Sequence, residues 1–124
     1  MPKQIIETIF FDERSVFDFA EVSGDKNKIH LDSAYASTTF FKKPIVHGAF
    51  AISKLSAIIA KKYINVILLE MNYKFLKPIF VNSSVKVVID YEETGETKES
   101  NFKFLNSSEE VCIIGTYKTK EKFI

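Results

Sequence analysis

The chain has 124 residues, 46% of them hydrophobic and 14% aromatic, and 17 Lys+Arg against 16 Asp+Glu leave a formal charge of +1. That length fits one domain, 1–124, able to bury roughly two thirds of its unfolded surface, and the aromatic content with balanced charge excludes disorder. The lone Cys112 excludes an internal disulfide and a Cys-rich zinc site, while the near-zero charge removes the electrostatic case for nucleic acid or an anionic membrane.

Taken in chain order, residues 3–10 read as a first strand. Asp12 is placed to cap a helix whose apolar stripe is Val16, Phe17, Phe19, Ala20 and Val22, ending at Gly24. Residues 25–32 read as polar and irregular, and a short helix capped by Asp32 or Ser33 leads to a loop with Lys42, Lys43 and Pro44. The longest helix runs from His47 or Gly48 to Tyr63. Its apolar residues cover most of the circumference, which predicts burial nearly all round. The period then changes to two. Strands are expected at 66–76, at 85–91, around Phe102 and Phe104, and at 111–118, with turns at 92–98 (around Thr94-Gly95) and 106–109. Lys118 to Lys122 reads as a mixed-charge tail. Short turns between strands imply an antiparallel sheet, and a nearly all-apolar helix needs something to wrap it. The expected fold is α+β, a curved antiparallel sheet around a long central helix, with strand edges that invite a partner chain.

The sequence predicts no leader and no membrane span, because residues 1–11 carry Lys3 and Glu7 and the apolar windows are short or interrupted. A single unpaired cysteine suits a reducing cytoplasm.

Both histidines fall within one stretch, 30–47. Asp25 and His30, five apart in a non-helical segment, are residue types that can jointly hold and deprotonate a water. Each also has a structural reading: Asp25 as a turn cap, His30 as a hydrogen-bonded packing residue, with Asn27 a turn former. Gly48 opens the buried helix, where backbone N–H groups and the helix dipole can stabilise developing negative charge on a carbonyl oxygen. Alone, that glycine would equally serve to bring the loop into the helix without a clash. Ser56, two turns on, needs a hydrogen-bond partner if the helix is buried. His47 reads first as a structural residue before the helix, with substrate contact as its other role. Lys42 and Lys43 read as a solvated pair, with phosphate contact the alternative, and Cys112 as buried and inert.

Two dense blocks carry a resemblance: Ser23-Gly24-Asp25-Lys26-Asn27-Lys28-Ile29-His30-Leu31-Asp32, and Phe41 with Pro44-Ile45-Val46-His47-Gly48. A third is the run from Asn72 to Phe80, which holds Phe75 and Pro78. The sequence resembles the MaoC-like dehydratase family, in particular its (R)-specific enoyl-CoA hydratases of the hot-dog fold. The resemblance implies that Asp25 and His30 activate water, that Gly48 donates to the thioester carbonyl, and that Ser56 lies close to the water. It further implies an acyl-CoA or acyl-carrier-protein thioester as partner, no metal or other cofactor, and a homodimer or dimer of dimers. A metal at the histidines is set aside for want of a third ligand cluster. Two departures stand out. Lys28 occupies the place of the family's proline, and Val81-Asn82-Ser83-Ser84 that of a Pro-Gly-Asp turn, where Asn82 can replace glycine.

Overall fold

Period-two alternation in the second half of the chain builds the sheet it predicts. The computed structural model describes residues 2–62, 65–92 and 97–121. In order they form β1 (Pro2–Phe11), α1 (Glu13–Ser23), α2 (Lys28–Leu31), α3 (Ser33–Ser37), α4 (Gly48–Lys62), β2 (Val66–Phe75), β3 (Ser83–Glu92), β4 (Thr97–Leu105) and β5 (Val111–Glu121). The strands make one antiparallel sheet in the order β1-β3-β4-β5-β2, leaving β1 and β2 at the edges.

Register decides which side chains meet. Ile5 faces Ile89, Ile9 faces Val85, Phe104 faces Ile113 and Ser100 faces Tyr117. Val85, Val87, Ile89, Phe102, Phe104, Ile113 and Tyr117 are buried together with Phe50, Ala51, Leu55, Ile58 and Ile59 of α4 in one core. At the Phe102–Gly115 pair, an added Cβ would run into the Asn72 carbonyl and the Phe102 ring, so glycine is what lets that ring lie flat across the sheet.

Several expectations need correction. α4 is buried along one face only. Ala49, Ser53, Ser56, Ala57 and Ala60 point outward, because the sheet of one chain covers only one side of the helix. In α1, Val16 and Ala20 are buried, but Phe17 is 41% and Val22 88% exposed. Residues 25–32 are not wholly irregular, since Lys28–Leu31 forms a helical turn. Lys98 belongs to β4, where its ammonium is buried and meets Glu121 at 3.0 Å, and β5 extends through residues 118–121 instead of releasing a tail. The Thr94-Gly95 turn, the helix end at Tyr63 and Lys122 lie outside the described residues. Asn82 does take glycine's place, at φ 65°, and the 106–109 turn closes through the Glu109 N–H to the Asn106 carbonyl.

Candidate functional site

The site is assembled by short caps in sequence. Asp12 caps α1 by accepting the Ser15 N–H at 2.7 Å, and Gly24 ends it at φ 81°, donating to the Ala20 carbonyl. The left-handed glycine turns the chain so that Asp25 follows directly. The Asp25 carboxylate accepts the Asn27 N–H, and the Asn27 side chain in turn accepts the Ile29 N–H and caps α2. Asp32 ends α2 with its N–H on the Lys28 carbonyl and caps α3 with its carboxylate on the Tyr35 N–H. The polarity of this stretch therefore supplies helix ends, which is why a four-residue helix survives here.

Ile45 holds His30 from behind. Its N–H donates to the Ile29 carbonyl, and its own carbonyl accepts His30 Nδ1–H at 2.7 Å. A carbonyl only accepts, so the neutral ring carries its proton on Nδ1 and presents Nε2 as a free base. His47 is fully buried and donates Nε2–H to the backbone carbonyl of Asp25 at 2.9 Å. Its Nδ1 has no hydrogen-bond partner among the described residues. The His30 and His47 rings stack at 3.8 Å between centroids with 26° between planes, and Phe19 meets the His47 ring edge-on at 4.9 Å. Burial pushes the His47 pKa below the ordinary histidine value, His30 nearby pushes the same way, and the bond to the Asp25 carbonyl opposes both.

An Asp25 carboxylate oxygen and one nitrogen from each histidine lie within 4.8 Å of one another, so the fold does bring a third metal-type ligand to the pair. The stacking does not suit a resident ion. Imidazole lone pairs lie in the ring planes, and two planes only 26° apart cannot converge on a point about 2 Å from both nitrogens.

Beside this cluster α4 begins. The stretch before it is clamped by the Val46 N–H to the Ile79 carbonyl at 2.7 Å and the Val81 N–H to the Pro44 carbonyl at 3.1 Å. Gly48 lies on the wall of an apolar cavity of about 320 Å³, with Phe41, Ile45, Ala51, Phe75 and Ile113 among its neighbours there. A Cβ at Gly48 would sit 2.5 Å from the Phe75 ring, so the absence of a side chain lets that ring rest against the helix start. The first N–H groups of an α-helix have no partner within it, and they carry its positive dipole end.

The structure thus unites Asp25, His30, His47 and Gly48, and shows Asn27 acting as a cap. Ser56 is exposed on the outward face of α4, two turns from Gly48, and so is not forced into a partnership by burial. Lys43 is not merely solvated: its ammonium lies 4.6 Å over the Phe80 ring. Sequence reasoning missed Ile45 and Phe19. Ile45 acts through its backbone, which leaves no side-chain signal, while Phe19 was read only as core.

A curved five-stranded sheet around one long helix, with a carboxylate–imidazole cluster next to the start of that helix, defines a hot-dog domain. The fold matches that of an (R)-hydratase from Aeromonas caviae with a TM-score of 0.90 at 26% identity, covering 97% of this chain and 95% of that one. The MaoC-like domain profile matches residues 2–111, and the chain belongs to that family. An (R)-specific enoyl-CoA hydratase of Aeromonas caviae is 34% identical over 90 residues, 71% of this chain and 67% of that protein. A mitochondrial 3-hydroxyacyl-[acyl-carrier-protein] dehydratase of Arabidopsis thaliana is 27% identical over 115 residues, 88% of this chain and 69% of that protein.

Proposed function

We propose that this protein is an (R)-specific enoyl-CoA hydratase, a hydro-lyase that reversibly adds water to trans-2-enoyl thioesters to give (R)-3-hydroxyacyl thioesters. The observation that carries this reading is the placement of the Asp25 carboxylate and the His30 ring beside the start of α4 and its apolar cavity. A water held between Asp25 and His30 Nε2 loses a proton to this pair as its oxygen bonds to C3. The electrons of the C2–C3 double bond move onto the thioester oxygen, where the Gly48 N–H and the α4 dipole stabilise the charge. The proton taken from water then returns to C2, so the reaction needs no cofactor. Asn27 orders the catalytic loop, and Ser56 has the place near the water that the family resemblance implies. The apolar cavity receives the acyl chain.

The likeness to the Arabidopsis dehydratase supports a second reading, in which the same residues act on an acyl-carrier-protein thioester. Comparing turnover of matched CoA and carrier-protein substrates separates the two. The single buried thiol of Cys112, its pKa raised by burial, suits a reducing cytoplasm. Residues 1–124 act as one domain, and the working unit is a homodimer joined through the β2 edge or a dimer of such dimers.

The test is loss of enoyl-thioester absorbance with crotonyl-CoA. The wild type consumes it, while Asp25→Asn and His30→Ala each lose roughly a hundred-fold or more in kcat. An Asp25→Asn protein of full activity would overturn the mechanism.

A further inference from the structure

The acid–base reading leaves His47 without a chemical task, although it is the most enclosed polar side chain at the site, 1% exposed. It contacts both residues of the catalytic pair, Asp25 at its backbone and His30 at its ring. Through Nε2–H it holds the backbone carbonyl of Asp25, and through its ring face it lies flat on His30. Phe19 meets the His47 ring edge-on and itself stacks on Phe50, a core residue of α4, at 4.8 Å. The result is a chain of contacts running from the core, through Phe19 and His47, to the catalytic pair.

Asp25 needs such a hold. It is exposed, it lies on a loop, and its other hydrogen bonds are local ones to Ser23 and Asn27. Those bonds, like the His30 N–H on the Asn27 carbonyl, lie within the loop and do not anchor the Asp25 backbone to the body of the fold. The His47 bond spans 22 residues and does anchor it. His30 is likewise held at one atom by Ile45, which leaves its ring free to rock about the Nδ1–H···O bond until a flat surface meets its face. We infer that His47 is the positioning residue of this site, setting the Asp25 loop and the His30 ring plane together so that carboxylate and Nε2 face one water. Displacing reacting groups by about 1 Å can cost on the order of a hundred-fold in rate, so the effect belongs in kcat.

The inference rests on the hydratase reading only for its kinetic arm. Two substitutions separate the two contacts: His47→Gln can keep an N–H near the Nε2 position without the ring, and His47→Phe keeps the ring without the donor. Kinetics with crotonyl-CoA is one arm. The other, independent of turnover, is NMR of the His30 ring nitrogens and the Asp25 amide, with thermal melting as the folding control. In the wild type His30 shows a single Nδ1–H tautomer and Asp25 a sharp amide signal. His47→Phe broadens or shifts the Asp25 amide and lowers kcat roughly a hundred-fold with KM changed less than about threefold. His47→Gln restores the Asp25 amide and recovers kcat to within roughly tenfold, while the His30 ring signals keep the Nδ1–H tautomer but broaden as the ring rocks about its bond to Ile45. If both variants melt as folded proteins and leave the His30 and Asp25 signals as in the wild type, the inference is overturned, active enzyme or not. An inactive wild type with these NMR responses would sink the hydratase reading and leave the positioning role standing.

Discussion

Lys28 occupies the first position of α2, directly after the Asn27 cap, and Asn27 has φ −58° and ψ 130°. Proline is favoured at the first helical position, where its missing N–H would have no helical partner and its fixed φ already suits the helix. The residue before it must be extended, as Asn27 is. The structure thus gives a reason for the family's proline at this point, and shows that lysine reaches the same backbone without it. Lys28→Pro should therefore stabilise the protein by about 0.4–1 kcal/mol through the unfolded chain and keep hydration activity, read by denaturant melting beside the crotonyl-CoA assay. A loss of stability would show that the Lys28 N–H or side chain has a use the contacts do not reveal. Seen this way, the departure from the family pattern affects the ease of ordering the loop and leaves the reacting groups in place.

The turns and caps around the site work as a sequence of short elements, each fixing the next. Gly24 is the first of them. Its φ of 81° lies in the left-handed region, while an added Cβ would meet nothing within 4 Å. The cost of Gly24→Ala is therefore conformational and unmixed with clashes, about 1 kcal/mol of stability. Because Asp25 follows at once, kcat should fall further than that stability loss explains, while the melting transition stays cooperative. Unchanged kcat would mean that the His47 bond alone sets the position of Asp25. The sequence made this element chain partly readable. Asp12, Gly24 and Asp32 announced their capping roles because their chemistry is local. The α2 turn was missed because four residues carry no periodicity, and the bond from His47 to the Asp25 carbonyl, 22 residues away, leaves no trace in spacing. The strands were legible through alternation, although β5 ran past its expected end because Lys118, Lys120 and Glu121 look like a solvated tail until Lys98 and Glu99 of β4 are seen opposite.

For the whole molecule, the outward face of α4 is what one chain leaves unexplained. Composition predicted a helix covered on all sides, and a single copy covers half of it. Before Lys61 and Lys62 at its end, the exposed half carries small residues, Ala49, Ser53, Ser56, Ala57 and Ala60, which allow close approach of another surface. At the same time edge strand β2 exposes Leu69 by 50%, Tyr73 by 40% and Phe75 by 55%, and its neighbour Leu76 by 54%. An open edge with apolar side chains is an aggregation hazard unless it is paired. The proposed joint of two copies through β2 would remove both defects at once, since it would extend the sheet and bring an apolar strand face toward a small-residue helix face. Phe75 lies at this edge and on the wall of the apolar cavity, so the proposed acyl site and the proposed interface would share a boundary. Wild-type protein should therefore sediment at twice the chain mass. Ala57→Glu, at a position exposed in one chain that the proposed joint would bury, should sediment as a folded monomer with unchanged helix and strand content by circular dichroism. Its activity should fall at least tenfold and recover in part at high protein concentration. A fully active monomer would show that one copy suffices for the site, and an Ala57→Glu dimer would show that the α4 face lies outside the joint.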